Sequence, residues 1–367
     1  MTILHVANGR LFGGIERMLT TFAECGGTNF EFMVATEGRL LSELRDRDAQ
    51  VHFFGDVRLS HPSSILRARH HVRNLLRRRS YAAVVCHAPW SHAIFAGVVR
   101  GYGVPVILWQ HDRATGTPLV ERACRAAVAD LVICNSKWTA TTAPLLQPGV
   151  PHRIIPCPVK ATNRTPDARI EVRRELGARA ESVVILSASR MEAWKGHLDL
   201  VRALARLSAL PWVLWIAGGA QRAHERAHAA ALVDEVRRLG LDSRVAFLGE
   251  RRDVDRLLAG ADVLAQPNTE PEPFGIIFAE ALRAGVPVVT TNMGGAPELV
   301  DESCGRLVAP HDFAALVTSL DLLVSDHALR DSLGAAGPRR AATVCDPSHV
   351  LAQLADAMSS IGVPTAA

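Results

Sequence analysis

ESVVILSASRMEAWKGHLDLVRALARLSALPWVLWIAGG, residues 181–219, holds one complete crossover unit. Val183 to Ser189 is a β-branched run of strand length. Leu200, Val201, Leu204 and Leu207 then recur at helical spacing, and Trp212 to Ala217 is a second strand-length apolar run. Strand, crossover helix and strand in this order predict two parallel strands with the helix on one face of their sheet.

Working outward, the alternation repeats on both sides. Toward the C-terminus, strands are expected at Arg244 to Leu248, Val263 to Gln266 and Val286 to Thr290, with a short one near Arg306 to Val308. Toward the N-terminus they are expected at Ile3 to Ala7, Glu31 to Ala35, Val51 to Phe54, Ala83 to His87, Val106 to Gln110 and Leu131 to Asn135. After Pro151 the pattern breaks in IIPCPVKATNRTPDARI, which has three prolines and no apolar period. The chain therefore reads as an α/β protein with two Rossmann-like parallel-sheet domains. The first covers 1–157, a linker 158–180 and the second 181–346, and a C-terminal helix within 347–367 is expected to return to the first domain. Tandem open α/β sheets bind ligands at the carboxyl ends of their strands, so a central cleft is the place to look.

Composition fits this frame. The chain has 367 residues, of which 48% are hydrophobic and 21% charged, with a net charge of +4. That excess is too mild to imply nucleic-acid binding. No apolar run reaches membrane-span length, so a cytoplasmic location is expected. Seven cysteines stand singly, which argues against a zinc site and for reduced thiols. Only Lys137, Lys160 and Lys195 are lysines among 41 cations.

Three loops carry candidate chemistry. Gly13-Gly14 follow the first strand and precede a helix near Ile15-Glu16, where exposed N–H groups suit an anion. A dinucleotide site would want GxGxxG here; the sequence is GRLFGGIER, and Glu37 after the second strand is a weak remnant of that reading. In the second loop, Arg190 and Lys195 both stand between a strand end and a helix start, an arrangement suited to a diphosphate. The third is Glu270-Pro271-Glu272-Pro273-Phe274-Gly275-Ile276-Ile277-Phe278-Ala279-Glu280. Pro273 predicts a helix starting near Gly275, with Glu272 in the loop and Glu280 inside the helix, so the two carboxylates address different parts of one extended ligand. Glu280 sits in an apolar run where burial would be costly without a partner.

Glu272-x7-Glu280 around PFG, with Arg190 and Lys195 before it and Gly294-Gly295-Ala296-Pro297-Glu298 after it, resembles the retaining GT-B glycosyltransferases of glycosyltransferase family 4. The resemblance also takes in Gly13-Gly14, Asn135-Ser136, Ile155-Pro156, Gly218-Gly219 and Phe247-Leu248-Gly249, so it spans nearly the whole chain. It implies a nucleotide-sugar donor, an acceptor that is a glycan, a lipid-linked molecule or a small molecule, and no metal or other cofactor. Residue by residue, it implies that Arg190 and Lys195 bind the donor diphosphate and that Glu280 binds the ribose. Glu272 and the backbone of Phe274 and Gly275 would hold the sugar, and Gly14 would lie against the diphosphate. Gly13, Gly249 and Ile276 complete the implied donor-binding set. His111, at the end of VILWQH, matches the family's histidine near the transferred sugar. Two departures stand out: the loop Met191-Glu192-Ala193-Trp194 differs from the family's usual turn, and Glu270 competes with Glu272. A nucleotide-sugar epimerase, a phosphorylase of similar architecture and a catalytically silent nucleotide-sugar-binding protein are the rival readings. Ile65 to Arg79 has six arginines and no acid. It reads as a sheet-covering helix with a basic face, which is also a candidate for peripheral contact with anionic lipid.

Overall fold

The computed structural model describes residues 2–58, 60–162 and 164–363. By its contacts the chain divides into two units, one running to Pro158 and resuming at Asp346, the other spanning Val159–Cys345.

The first unit is a seven-stranded, wholly parallel sheet with strand order β3-β2-β1-β4-β5-β6-β7. Its strands are β1 (Ile3–Ala7), β2 (Phe30–Val34), β3 (Gln50–Phe53), β4 (Ala83–Cys86), β5 (Val106–Gln110), β6 (Leu131–Cys134) and β7 (His152–Ile154). The helices that matter here are α1 (Gly14–Cys25), α2 (Pro62–Arg78) and α3 (Pro89–Arg100). Ala68, Val72 and Leu75 of α2 and Ile94, Phe95 and Val99 of α3 pack on Leu4, Val6, Val84 and Val106 of the sheet. Burying such aliphatic faces is the main stabilising term. The opposite face of α2 exposes Leu66, Arg67, His70, Arg73 and Arg77.

The second unit is a six-stranded parallel sheet, β10-β9-β8-β11-β12-β13. Its strands are β8 (Val183–Ala188), β9 (Trp212–Ala217), β10 (Val245–Gly249), β11 (Val263–Gln266), β12 (Val288–Thr291) and β13 (Gly305–Val308). Six helices complete the set used below: α4 (Pro166–Glu175), α5 (His197–Ala205), α6 (Ala223–Arg238), α7 (Val254–Gly260), α8 (Ile276–Arg283) and α9 (Phe313–Ser325). Leu200, Val201 and Leu204 of α5 and Leu316, Leu320 and Leu323 of α9 share one core with Ile185, Leu214 and Val263. The helical spacing of residues 200–207 thus faces the sheet. A further helix, α10 (Pro347–Ser359), groups with the first unit.

Two elements depart from expectation. β7 lies beyond the last strand that the apolar pattern predicts for the first domain; all three of its residues are exposed, so it carries no apolar alternation. α4 lies inside the stretch read as linker, 158–180. Thr165 caps it, accepting from the Ala168 N–H, and Pro166 occupies its first turn. Ionic contacts hold it down: Arg173 is buried and donates to Asp262 (2.9 Å), as does Arg169 (2.6 Å). An apolar-period search therefore passes over it.

Candidate active site

Strand order reverses between β8 and β11 in the second unit, so the crossovers on either side leave in opposite directions and open a gap at the carboxyl ends. Arg190 and Lys195 follow β8, and Asn268 and Glu272 follow β11, so they share this gap. Lys195 Nζ is 2.7 Å from Glu272 Oε2, bringing together motifs 77 residues apart. Both side chains are largely enclosed, and the ammonium also lies 3.7 Å from the centroid of the Trp194 ring. Asn268 Nδ2 donates to the same carboxylate oxygen at 3.0 Å. Trp194, the last residue of the divergent Met191-Glu192-Ala193-Trp194 stretch, gives Lys195 an aromatic wall.

Backbone geometry fixes this pair. Gly196, between Lys195 and α5, has φ +75°, and a Cβ there would stand 1.9 Å from the Pro267 carbonyl oxygen. The β8 and β11 loops can approach only through glycine. On the other side, Glu272 forms an isolated parallel bridge with Gly294, and its carbonyl accepts from the Gly295 N–H at 2.7 Å. The Gly294-Gly295 pair is thus the clamp on the Glu272 loop. Gly275 caps α8 with φ +92°, Phe274 is buried, and Ile276 is partly open in the first turn.

Arg190 reaches the buried Glu225 of α6 at 2.9 Å and Glu192 at 2.8 Å. The two cations expected to face an anion are therefore each matched by carboxylates within the chain. Glu192, His224 and Glu225 bring one ligand atom each within 4.8 Å of one another. Arg190 engages both carboxylates of that group. Glu280, on α8, is partly buried and not fully enclosed. Gly249 ends β10 at φ +65°.

Three expected residues belong to the first unit. Gly13 precedes α1, and its N–H donates to Glu16 Oε2 at 3.0 Å, so that amide is already satisfied internally. A Cβ at Gly13 would meet nothing nearer than 3.7 Å, so the fold itself does not demand glycine there. Gly14 opens α1 and is exposed. His111 follows β5, and its Nε2 is 2.9 Å from His87 Nδ1. Burial pushes its pKa down to about 3, so the ring is neutral at pH 7.

Sequence reading missed Asn268, Gln266, Trp194, Glu192 and Glu225 as site neighbours, whereas His87 stands at the start of the His87-to-His92 loop that it associates with specificity. Asn268 lies two residues past β11, a position that could have marked it. Glu225 gave no such signal, because it comes from a helix beside a different strand.

Residues 12–162 match the family model described as Glycosyltransferase Family 4, and residues 168–340 match the one described as Glycosyl transferases group 1. The chain is 33% identical over 187 residues to a GDP-mannose-dependent monoacylated alpha-(1-6)-phosphatidylinositol monomannoside mannosyltransferase of Corynebacterium glutamicum, covering 48% of this chain and 47% of that protein. To a D-inositol 3-phosphate glycosyltransferase of Corynebacterium jeikeium it is 32% identical over 255 residues, 63% of this chain and 58% of the other. The chain thus spans about half the length of the curated relatives it matches. The crystal structure of Anabaena HepE in complex with UDP and glucose superposes with a TM-score of 0.86 at 25% identity, covering 98% of this chain and 100% of that one.

Proposed function

Because the chain belongs to the family-4-like glycosyltransferases of GT-B fold, we propose that it transfers a sugar from a nucleotide-sugar donor to an acceptor hydroxyl with retention of anomeric configuration and without a metal. The observation that carries this reading is the Lys195–Glu272 pair at the β8/β11 gap. It joins a cation suited to a diphosphate with a carboxylate suited to sugar hydroxyls. On donor binding the pair exchanges partners: Lys195 turns to the diphosphate, and Glu272 accepts from the sugar.

Transfer breaks the bond between the anomeric carbon and the phosphate oxygen through an oxocarbenium-like state. The electron pair leaves with the diphosphate, where Arg190 and Lys195 stabilise the growing charge in a preorganised site. The acceptor hydroxyl attacks from the face of departure, and its proton passes to the leaving phosphate. Glu280 holds the ribose, and Phe274, Gly275, Ile276 and Gly249 line the donor. Gly13, Gly14 and His111 enter this reading through the resemblance alone. Acceptor contact falls to the first unit. There the exposed Leu66 among the arginines of α2 favours peripheral contact with anionic lipid. Vesicle flotation tests that part: binding to zwitterionic and anionic vesicles alike, or to neither, removes it.

A thermal-shift screen in EDTA, opening with UDP-glucose and GDP-mannose, tests the main reading, since a ligand of the folded state raises the melting temperature. A shift with one donor, followed by acceptor-dependent release of nucleoside diphosphate, is expected. Lys195→Ala lowers kcat/KM by about 10- to 150-fold, matching one lost charge-assisted hydrogen bond. No stabilisation by any nucleotide sugar overturns the proposal. An isomerised donor, or cleavage by inorganic phosphate, selects the epimerase or phosphorylase reading, and binding without turnover selects a silent binder.

A further inference from the structure

His111 ends a run of three imidazoles. His5 Nδ1 is 2.7 Å from His87 Nε2, and His87 Nδ1 is 2.9 Å from His111 Nε2. The rings are near-parallel, at 22° and 20°. Phe22 from α1, Phe30 and Phe32 from β2 and Trp109 from β5 pack against this run, and none of them ionises. The titratable groups facing these rings are the other rings of the run. At the far end His5 Nε2 is buried without a partner.

Proton counting restricts this run to two states. Each nitrogen–nitrogen hydrogen bond holds one proton, and each neutral ring carries one. If His5 carries its proton on Nδ1, His87 must use Nδ1 and so must His111. If His5 uses Nε2, all three use Nε2. The second state leaves a donor N–H orphaned at His5, whereas the first leaves only a bare lone pair, and orphaned buried donors are the rarer fault.

We propose that His5, His87 and His111 act as one tautomeric unit, in which His87, braced by His5, fixes the His111 proton on Nδ1. His111 is then a neutral hydrogen-bond donor to an oxygen of the bound donor or acceptor, and neither an acid nor a base. His5 and His87 are positioning residues. The ligand half of this inference rests on the glycosyltransferase reading; the tautomer half does not.

Nitrogen-15 spectra of histidine-labelled protein test it. The expected wild-type result is an Nδ1–H tautomer at His111 that does not titrate between pH 8 and 5. His87→Phe keeps the ring stack but cuts the run, so His111, still buried and neutral, should become a mixture of its two tautomers. In that variant kcat should fall about tenfold, the loss of one hydrogen bond, with donor KM unchanged. His87→Gln, whose amide both accepts and donates, should restore much of the rate. If His87→Phe does not fold, His5→Phe serves, since that site is already lined by phenylalanines. An Nε2–H tautomer at His111, or nitrogen-15 spectra unmoved in the Phe variants, overturns the proposal. Spectra as expected in a protein that turns over no nucleotide sugar would instead sink the glycosyltransferase reading.

Discussion

Gly196 and Gly97 are both glycines near helices, but their surroundings make opposite demands. Gly196 combines a positive φ with a carbonyl oxygen 1.9 Å from its would-be Cβ, and it adjoins Lys195. Gly196→Ala should separate the β8 and β11 loops and move Lys195 off its 2.7 Å contact with Glu272. We expect kcat/KM to fall by about 100-fold, as for a misplacement of about 1 Å, while the far-ultraviolet spectrum stays native. A mutant with wild-type kinetics would show that the loop approach is not needed. Gly97 is exposed inside α3, with nothing within 4 Å of an added Cβ. Its alanine variant, the control, should gain about 0.8 to 1 kcal/mol from helix propensity. Lys195 shows what residue-level reading can reach. Its type and spacing pointed to a diphosphate-binding role, but its engagement by Glu272, whose carboxylate Asn268 also holds, depends on a chain segment 77 residues away.

Among elements, α4 depends most on charge. Asp262 accepts from Arg169, Arg173 and the Val184 N–H (2.7 Å), and Arg173 also donates to the Gly260 carbonyl of α7. Although burial pushes the Asp262 pKa up, the Arg169 charge, the Val184 N–H and Arg173 together hold it below the ordinary value. Asp262→Ala leaves the buried Arg173 uncompensated and should cost about 3 kcal/mol, read from the urea midpoint. A cost under about 1 kcal/mol would mean that α4 is held by its few apolar contacts instead. Element legibility follows the same physics. Strands buried on both faces, such as β5 and β8, were readable as apolar runs, and α5 through its 3.6-residue period. β7, exposed throughout, and α4, held by ions, had no such signal.

For the whole molecule, buried neutral histidines predict an uneven response to acid. Burial lowers the pKa of His5 and His111 to about 3, that of His92 to about 4 and that of His87 well below normal, all in the first unit. In the second unit it lowers His197 to about 3 and His228 less. Each folded value lies below the unfolded value of about 6.5, so the unfolded chain binds protons first. That stability is complete above about pH 6.5 and is lost as pH falls toward the folded values, by up to about 1.4 kcal/mol per unit for each group. Between pH 7.5 and 5 the first unit should lose protection before the second, measured by hydrogen-exchange mass spectrometry corrected for intrinsic rates. Equal loss in both units would contradict this. The sequence by itself determined the two parallel sheets, their order along the chain and the chemical types at the β8 and β11 loops, because periodicity and residue type are local properties. Tertiary structure alone decided that Lys195 meets Glu272, that Glu192 and Glu225 bracket Arg190, and that His5, His87 and His111 form one hydrogen-bonded run. Those pairings depend on strand order and on glycine-permitted loop approach, which bring together residues that no local pattern relates.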